Sequence, residues 1–312
     1  MINIEERLAK ELGLKLGVVN NVVEMLDEGN TVPFIARYRK EKTGGLSDEV
    51  LRKFSERLTY LRSLDERKAD VSRLIEEQGK LTQEITEALG KAETLTEVED
   101  IYRPYKPKKR TRATIAKAKG LEPLANLILE GAFKGDVLQE ASKYIDEEKG
   151  VEKAEDAVSG ALDIIAEGIS EEAKYRKFIR ELVMREGLIE SKGSSEETTP
   201  YEMYYDYSEE VRKIPPHRIL AINRGEKEKI LSVKITIGED KIISYLEREI
   251  LKGNGVLDEQ LKLAIRDAYK RLILPSIERE IRNELTDKGE EGAILIFRCG
   301  GSFLSVSNDK NL

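Results

Sequence analysis

The chain of 312 residues contains no tryptophan, one cysteine and one histidine. With only Cys299 and His217 available, a disulfide framework and a four-ligand zinc site of these residue types are excluded. The single cysteine points to a reducing compartment, so we expect a cytoplasmic protein. No apolar run approaches the roughly 18–20 residues that a membrane-spanning helix needs, and no contact with a membrane is expected.

Sequence motifs for catalysis and for cofactor binding are missing as well. No serine–histidine–aspartate or cysteine–histidine arrangement is recognisable, and no glycine-rich phosphate-binding loop is present. His217 follows two prolines in "IPPHRIL", which is typical of a structural residue at the start of a helix. The sequence therefore predicts a protein that is not an enzyme and that uses no cofactor.

Charged residues are abundant instead: 53 Lys and Arg and 60 Asp and Glu give a formal net charge of −7. Aliphatic residues recur at helical spacing almost throughout, which predicts a mainly α fold rather than a disordered chain. Ser47 is typical of a residue that begins a helix, and Gly79 of one that ends it. The apolar face of this long helix would consist of Leu51, Phe54, Leu58, Leu61 and Leu64.

Strict alternation in "ILSVKITIG" predicts a minor β element near 230–237, the only convincing strand in the sequence. We expect an elongated multi-helix assembly around it. The predicted domains are a helical N-terminal domain at 1–193, an acidic, tyrosine-rich junction at 194–210, an α-rich segment with one strand at 211–294, and a disordered or non-native tail at 295–312.

Gly29 and Asn30 separate an apolar helix from a short basic one, an arrangement with helix-turn-helix character. In such a motif the second helix enters the major groove of DNA, and nearby cations neutralise phosphate. The candidate contacts on this helix are Arg37, Arg39 and Lys40. The alternative is a core hairpin that buries Phe34, Ile35 and Tyr38.

Residues 101–121, "IYRPYKPKKRTRATIAKAKGL", form a basic segment with eight Lys and Arg and no acid. Because Pro104 and Pro107 are incompatible with a helix interior, we expect an extended segment. Nucleic-acid phosphate attracts such a field, and Tyr102 and Tyr105 could stack on bases. The alternatives are a solvated loop, a segment that docks into an acidic groove of the same chain, and a segment that binds an acidic protein partner. The candidate phosphate contacts are Arg103, Lys106, Lys108, Lys109, Arg110, Arg112, Lys117 and Lys119.

Several long blocks resemble the N-terminal part of the bacterial Tex transcription accessory proteins, from about residue 3 to about residue 294. They include "TVPFIARYRKEKTGGL", "EDIYRPYKPKKRTRATIAKAKGLEPLA" and "DAYKRLILPSIEREIRNELT". The resemblance implies a mainly α region with helix-turn-helix character and a long central helix. It also implies that full-length members continue with an RNase-H-like domain, helix-hairpin-helix elements and an OB-fold RNA-binding domain. We therefore expect this chain to be an N-terminal fragment.

The resemblance further implies a role in transcription. We expect a non-catalytic helical module that binds the phosphate backbone of DNA or RNA, with RNA polymerase or ribosome-associated proteins as further partners. The alternative is a protein-interaction scaffold that docks to the transcription or translation machinery and has little nucleic-acid affinity of its own. The sequence leaves the oligomeric state open.

Overall fold

The structure, a computed structural model, describes residues 3–131, 135–193, 199–253 and 255–306, with side chains as far as residue 290. Its internal contacts divide the chain into two compact units, unit 1 (Met1–Lys106) and unit 2 (Pro107–Leu312). This division lies inside the basic segment. The domain boundaries predicted at 193 and 210 stay predictions.

Unit 1 is built from helices joined by short turns. In chain order they are α1 (Ile4–Leu12), α2 (Leu16–Asp27), α3 (Val32–Tyr38), α4 (Lys40–Thr43), α5 (Asp48–Glu76), α6 (Gln83–Lys91) and α7 (Leu95–Tyr102), and a 3-10 turn follows at Arg103–Tyr105.

Helix α5 is the predicted long helix and organises the core of unit 1. The Ser47 hydroxyl accepts a hydrogen bond of 3.3 Å from the backbone N–H of Val50, which satisfies one of the unpaired donors at the helix start. All five residues of the predicted apolar face are at most 3% exposed. They pack in one cluster with Leu8 of α1, Val19 of α2 and Ile35 of α3. The prediction of a long helix with this core face is confirmed.

Unit 2 contains helices and a small sheet. The helices are α8 (Arg112–Ala118), α9 (Glu122–Glu130), α10 (Val137–Ala141), α11 (Ala154–Glu171), α12 (Ala173–Glu186), α13 (Pro216–Lys227), α14 (Asp240–Ile250), α15 (Gly255–Asp267) and α16 (Leu274–Val306), and the strands are β1 (Leu188–Gly193), β2 (Asp206–Glu210) and β3 (Leu231–Thr236). Helix α11 packs against α8, α9, α10 and α15. The prediction of a mainly α fold is confirmed.

The sheet has the strand order β2-β1-β3, and both pairings are antiparallel. Strand β3 confirms the prediction near 230–237, with Leu231 and Ile235 buried and Ser232 and Lys234 exposed between them. The prediction that this was the only strand is wrong. Strands β1 and β2 were missed because both are short and charged, and because their pairing joins residues that are distant in sequence.

Part of the predicted junction belongs to a core of unit 2. Tyr201 and Tyr204 are 8% and 6% exposed and pack with Ile189 of β1 and Ile219 of α13. Residues 194–198 of the junction lie outside the described residues.

Most of the predicted tail belongs to the last helix of the chain. Helix α16 includes residues 295–306 of the tail, and residues 307–312 lie outside the described residues. Among the described residues, no helix combines the length and the apolar character that a membrane crossing requires.

A π-helix, Ala268–Ile273, connects α15 to α16. Pro275 is the second residue of α16, and the wide π-helical turn lies directly before this proline. Every fourth residue across this connection is at most 1% exposed: Leu261, Ile265, Tyr269, Ile273, Ile277 and Ile281. In a regular α-helix, a row of every fourth residue rotates by about 40° per step.

Candidate nucleic-acid interface

Helix α3 is positioned by its start and by one buried side chain. Gly29 has a φ of 84°, a left-handed conformation that suits glycine, and it ends α2 shortly before α3 begins. Pro33 lies in the first turn of α3, where its missing N–H leaves no hydrogen bond unmade. Ile35 is fully buried in the core of unit 1. The burial of Ile35 determines which side of this short helix faces solvent.

The solvent side of α3 and the following α4 carries a group that we call the α3–α4 cations: Arg37, Arg39, Lys40 and Lys42. All four side chains are exposed, and within the described residues none of them forms an ion pair. Glu41 is the single acid between Val32 and Ser47. The three cations predicted here thus lie on an exposed, positively charged surface, and Lys42 was missed although it belongs to the same stretch.

Two aromatic rings accompany the α3–α4 cations. Phe34 and Tyr38, four residues apart, are 37% and 62% exposed, and their ring centroids are 5.2 Å apart. The guanidinium carbon of Arg39 lies 5.5 Å from the Phe34 ring centre, within cation–π range. The alternative of a hairpin that buries Phe34, Ile35 and Tyr38 is therefore wrong for two of the three residues, since only Ile35 is buried.

Ion pairs within unit 1 hold the first cations of the basic segment. Arg103 lies 3.8 Å from the buried carboxylate of Asp100. Lys106 forms an ion pair with Glu99, which also accepts a hydrogen bond of 2.6 Å from Arg67. Burial is the largest influence on Glu99 and raises its pKa, but the hydrogen bonds from Arg67 and Lys106 outweigh it. The pKa of Glu99 consequently lies below its ordinary value.

The two tyrosines of the segment also belong to unit 1. Tyr102 is 7% exposed and packs in the α5 core, so it is not a free platform for bases as the sequence suggested. Tyr105 is half-buried, and its backbone carbonyl accepts a hydrogen bond of 3.0 Å from the Gln78 side chain. The stretch "IYRPY" is therefore a structural corner of unit 1.

Lys108 is held by two carboxylates of α11. Its ammonium group lies 3.0 Å from Glu167 and 2.7 Å from Glu171, and all three side chains are at most 25% exposed. Burial is the largest influence on Glu171 and leaves the pKa of that carboxyl above its ordinary value. Burial also acts on Lys108 to lower its pKa, but the hydrogen bonds to Glu171 and Glu167 outweigh it and raise that pKa. Lys108 therefore joins the start of unit 2 to α11.

The second half of the basic segment is helical, which corrects the expectation of an extended segment. The Thr111 hydroxyl accepts a hydrogen bond of 3.0 Å from the Thr114 N–H and starts α8 beyond both prolines. Lys117 of α8 pairs with Glu122 at 2.9 Å, and Lys119 donates to the carbonyl of Gly150 at 2.7 Å. Pro104 lies within the 3-10 turn Arg103–Tyr105, so the part of the segment before α8 lacks helical structure only between that turn and α8.

Lys109, Arg110 and Arg112 are the cations of the basic segment that remain. Their side chains are exposed, and they form no ion pair within the described residues. Arg112 lines an open cleft of about 490 Å³ together with Asp163 and Asp267, so nearby acids offset part of its charge. Lys109 and Arg110 are therefore the exposed cations of the segment that neither form an ion pair within the described residues nor line this cleft.

The predicted site residues therefore separate into two groups in two units. Unit 1 contains Arg37, Arg39, Lys40, Arg103 and Lys106, and unit 2 contains Lys108, Lys109, Arg110, Arg112, Lys117 and Lys119. Five of the eight cations of the basic segment are engaged within their own unit: Arg103, Lys106, Lys108, Lys117 and Lys119.

Comparison with known proteins gives two family matches. The Tex-like protein N-terminal domain matches residues 2–76, which include the α3–α4 cations. The Tex central region-like family matches residues 134–297, which lie in unit 2. The basic segment lies between the two matched ranges.

Similar proteins occur in bacteria and in a primate. The chain is 48% identical over 299 residues to the uncharacterized protein YdcI of Bacillus subtilis strain 168, covering 94% of the chain and 42% of YdcI. It is 38% identical over 305 residues to the transcriptional accessory protein Tex of Neisseria gonorrhoeae, covering 95% of the chain and 40% of that protein. It is 30% identical over 312 residues to S1 RNA-binding domain-containing protein 1 of Pongo abelii, covering 95% of the chain and 31% of that protein.

The chain thus spans about two fifths of the length of these bacterial relatives. The second family match alone covers more than half of the chain, and it agrees with the resemblance in the sequence blocks. The chain belongs to the Tex family.

Proposed function

We propose that this chain is a non-catalytic nucleic-acid-binding module of a transcription accessory protein, and that the α3–α4 cations contact phosphate. The observation that carries the proposal is that these cations are exposed and form no ion pair within the described residues. Elsewhere in unit 1, helix cations such as Lys53 and Arg73 have carboxylate partners at 2.7 and 3.0 Å. The names of two relatives, one a transcriptional accessory protein and one an S1 RNA-binding domain-containing protein, support the same function.

The acidity of the whole chain does not oppose this binding. Exposed charges interact over a Debye length of about 8–10 Å, so a phosphate at α3 responds mainly to the local charge. Four cations and one acid lie between Val32 and Ser47. In unit 2, Lys109, Arg110 and Arg112 provide further phosphate contacts, and RNA polymerase or ribosome-associated proteins are further partners in this proposal.

The test is a salt-titrated binding assay with one triple variant and one matched control. The variant changes Arg37, Arg39 and Lys40 to alanine. The control changes Lys53, Arg73 and Lys91 to alanine, which removes the same charge from exposed, paired positions of unit 1. Log affinity falls with log salt by about 0.9 per phosphate contacted on duplex DNA and about 0.7 on a single strand.

We expect the triple variant to bind every sequence more weakly and to lower the salt slope by about 2 to 3. The control keeps the wild-type slope. Equal slopes for the two variants would refute phosphate contact at α3.

A protein-interaction scaffold is the second candidate function. The observation that favours it is that most cations of the basic segment are engaged within their own unit, so this segment offers less free charge than its composition suggests. Wild-type affinity for nucleic acid that is undetectable at low salt would support this candidate over the first.

A further inference from the structure

Unit 2 contains an open cleft of about 490 Å³ that the phosphate contacts proposed at α3 do not involve. Residues of α11 and α15 form most of its lining, and Leu138 of α10 and Arg112 of α8 complete it. We call it the α11 cleft. Its volume lies within the range of roughly 300–1,000 Å³ that is usual for ligand-binding sites.

Apolar side chains at the α11 cleft are open to solvent. Leu138 and Leu263, which both line it, are 42% and 55% exposed. Val256 lies seven residues before Leu263, on the same face of α15, and is 59% exposed. Val158 and Leu162 of α11 add further apolar lining. Single exposed apolar residues are ordinary on a protein surface, but several at one cleft indicate a surface that a partner covers.

Most charged groups of the cleft are satisfied by one another. The Arg271 guanidinium lies 3.1 Å from Asp163 and donates a hydrogen bond of 2.9 Å to Asp267. Arg271 belongs to the π-helix, a type of turn that often marks a functional site. Burial is the largest influence on Asp163 and leaves its pKa above the ordinary value, although the charges of Arg271 and Arg112 oppose that shift.

Glu155 is the acid of the cleft that has no cationic partner. It lies in the first turn of α11, is exposed, and forms no ion pair within the described residues. Eight residues separate it from Asp163, which corresponds to about 12 Å along the helix axis. The cleft thus offers a free carboxylate at one end of α11 and exposed leucines beside it.

We propose that the α11 cleft binds an amphipathic helix of a protein partner, which packs its apolar side chains against Leu138 and Leu263 and places a Lys or Arg at Glu155. Apolar residues at i, i+3, i+4 and i+7 are the usual anchors of a helix that binds in such a groove. Three carboxylates line the cleft and repel phosphate, so the charge favours a basic protein segment over nucleic acid. The proposal goes beyond the phosphate contacts at α3 and does not depend on them.

The test uses the whole chain and a labelled synthetic peptide of about 18 residues, long enough to be partly helical in water. The peptide has leucines at i, i+3, i+4 and i+7, arginines at flanking positions, and alanine and glutamine elsewhere. An acidic peptide with glutamate in place of every arginine is the control for charge. Fluorescence anisotropy measures the binding of each peptide at low and at high salt.

The first variant tests the apolar contacts. Leu138→Gln with Leu263→Gln makes both exposed leucines polar. The matched control, Leu16→Gln with Leu129→Gln, changes two leucines that are 44% and 39% exposed and lie outside the cleft lining. We expect wild type and control to bind the basic peptide saturably, and the cleft variant to bind it roughly 10- to 100-fold more weakly, because two leucines no longer bury apolar surface against the peptide.

The second variant, Glu155→Arg, tests the charge. It should bind the basic peptide roughly 3- to 10-fold more weakly and the acidic peptide more tightly by a similar factor, and both effects should shrink at high salt. A gain in affinity cannot result from a loss of folding. Glu181→Arg is the matched control, since Glu181 of α12 is exposed, has no ion pair within the described residues and lies outside the cleft lining. It should change neither affinity.

Four results would overturn the proposal. They are binding of the basic peptide that does not saturate below about 1 mM, equal binding by wild type and the double glutamine variant of the cleft, equal binding of the basic and acidic peptides by the wild type, and equal effects of Glu155→Arg and Glu181→Arg.

Other occupants give distinct outcomes. If the double glutamine variant of the cleft loses affinity for nucleic acid, the cleft belongs to a nucleic-acid surface and the proposal is wrong. If sedimentation shows self-association of the wild type that this variant abolishes, the occupant is a second copy of the chain and the proposal is again wrong. The triple alanine variant at α3 should bind the basic peptide as the wild type does, so a failure of the proposed phosphate contacts is distinguishable from a failure here.

Discussion

Lys108 and Lys109 are adjacent in the sequence, and both were predicted to contact phosphate. Their surroundings, however, predict a large effect on stability when Lys108 is replaced and a small one when Lys109 is replaced. The side chain of Lys108 is 25% exposed and pairs with Glu167 and Glu171, whose side chains are 13% and 16% exposed. Lys109 is exposed and has no ion pair within the described residues. Replacement by methionine keeps most of the aliphatic stem at either position and removes only the charge.

We expect Lys108→Met to destabilise unit 2 by about 1–3 kcal/mol at neutral pH. The estimate lies between the 0–1 kcal/mol of a surface pair and the 3–5 kcal/mol lost when one partner of a fully buried pair is removed. Two neighbouring carboxylates would remain in a site shielded from water. Lys109→Met should change the stability by less than about 0.5 kcal/mol, as is usual for surface substitutions.

The pH dependence of the Lys108→Met effect follows from the raised pKa of Glu171. Burial already holds this pKa above its ordinary value in the folded protein, and loss of Lys108 removes hydrogen bonding that opposes the shift. A carboxyl whose folded-state pKa is raised favours the folded state when it is protonated, and that contribution is lost as pH rises through the raised pKa. The cost of Lys108→Met should therefore shrink as the pH falls from neutral.

Hydrogen exchange of α11 measures this cost, and exchange of α5 in unit 1 serves as an internal reference. Wild type, Lys108→Met and Lys109→Met are compared at about pH 7.5 and about pH 5. Equal protection of α11 in the two variants at neutral pH would refute the structural role of Lys108. A cost that grows on acidification would refute the role assigned to Glu171.

Two further predictions concern stability. In α11, a Cβ at Gly160 would collide with Leu121 Cδ1, whereas a Cβ at Gly168 would have no neighbouring atom within 4 Å. In chemical denaturation we expect Gly160→Ala to destabilise the protein by about 1–3 kcal/mol and Gly168→Ala to stabilise it by up to about 1 kcal/mol. A change of the same sign for both variants would contradict the packing. In unit 1, the hydrogen bond from Arg57 is the largest cause that lowers the pKa of Glu11 to about 2, so this group contributes stability above its unfolded pKa of about 4.5 that is lost as pH falls through about 2. Glu11→Gln should cost about 1–2 kcal/mol at pH 7, after allowance for its 31% exposure, and nothing below about pH 2; a cost that does not change with pH would rule out the linkage.

Local patterns in the sequence predicted the elements that depend on neighbouring residues. The five apolar positions of α5 and the alternation of β3 are visible within one short window each, and both are confirmed. Strands β1 and β2 were not predictable in this way because β1 pairs with partners about 20 and 45 residues away. Helix α8 was obscured by Pro104 and Pro107, since only the Thr111 cap shows that a helix begins beyond them.

In the candidate site, the sequence likewise showed the charged residues but not their partners. The sequence identified all eight cations of the basic segment, but the carboxylates that hold Lys108 are about 60 residues further along the chain. The alternative of docking onto acids of the same chain could be stated from the sequence, but the residues concerned could not. The exposure of Phe34 and Tyr38 was likewise hidden, because the spacing of apolar residues does not show which of them reach the core.

The π-helix at Ala268–Ile273 acts as a phase corrector for the longest helical run of unit 2. A turn closed by i→i+5 hydrogen bonds rotates the chain by a smaller angle per residue than an α-helical turn does. This smaller rotation counteracts the drift of the buried row from Leu261 to Ile281 around the helix axis. Removal of one residue from this turn would restore regular winding and rotate α16 by about 100° relative to α15. The face of α16 that now meets α13, where Arg282 pairs with Glu226 and Thr286 accepts from Asn223, would then point elsewhere. A related sequence that lacks one residue in this turn would therefore need a different set of residues on the face of α16 that meets α13.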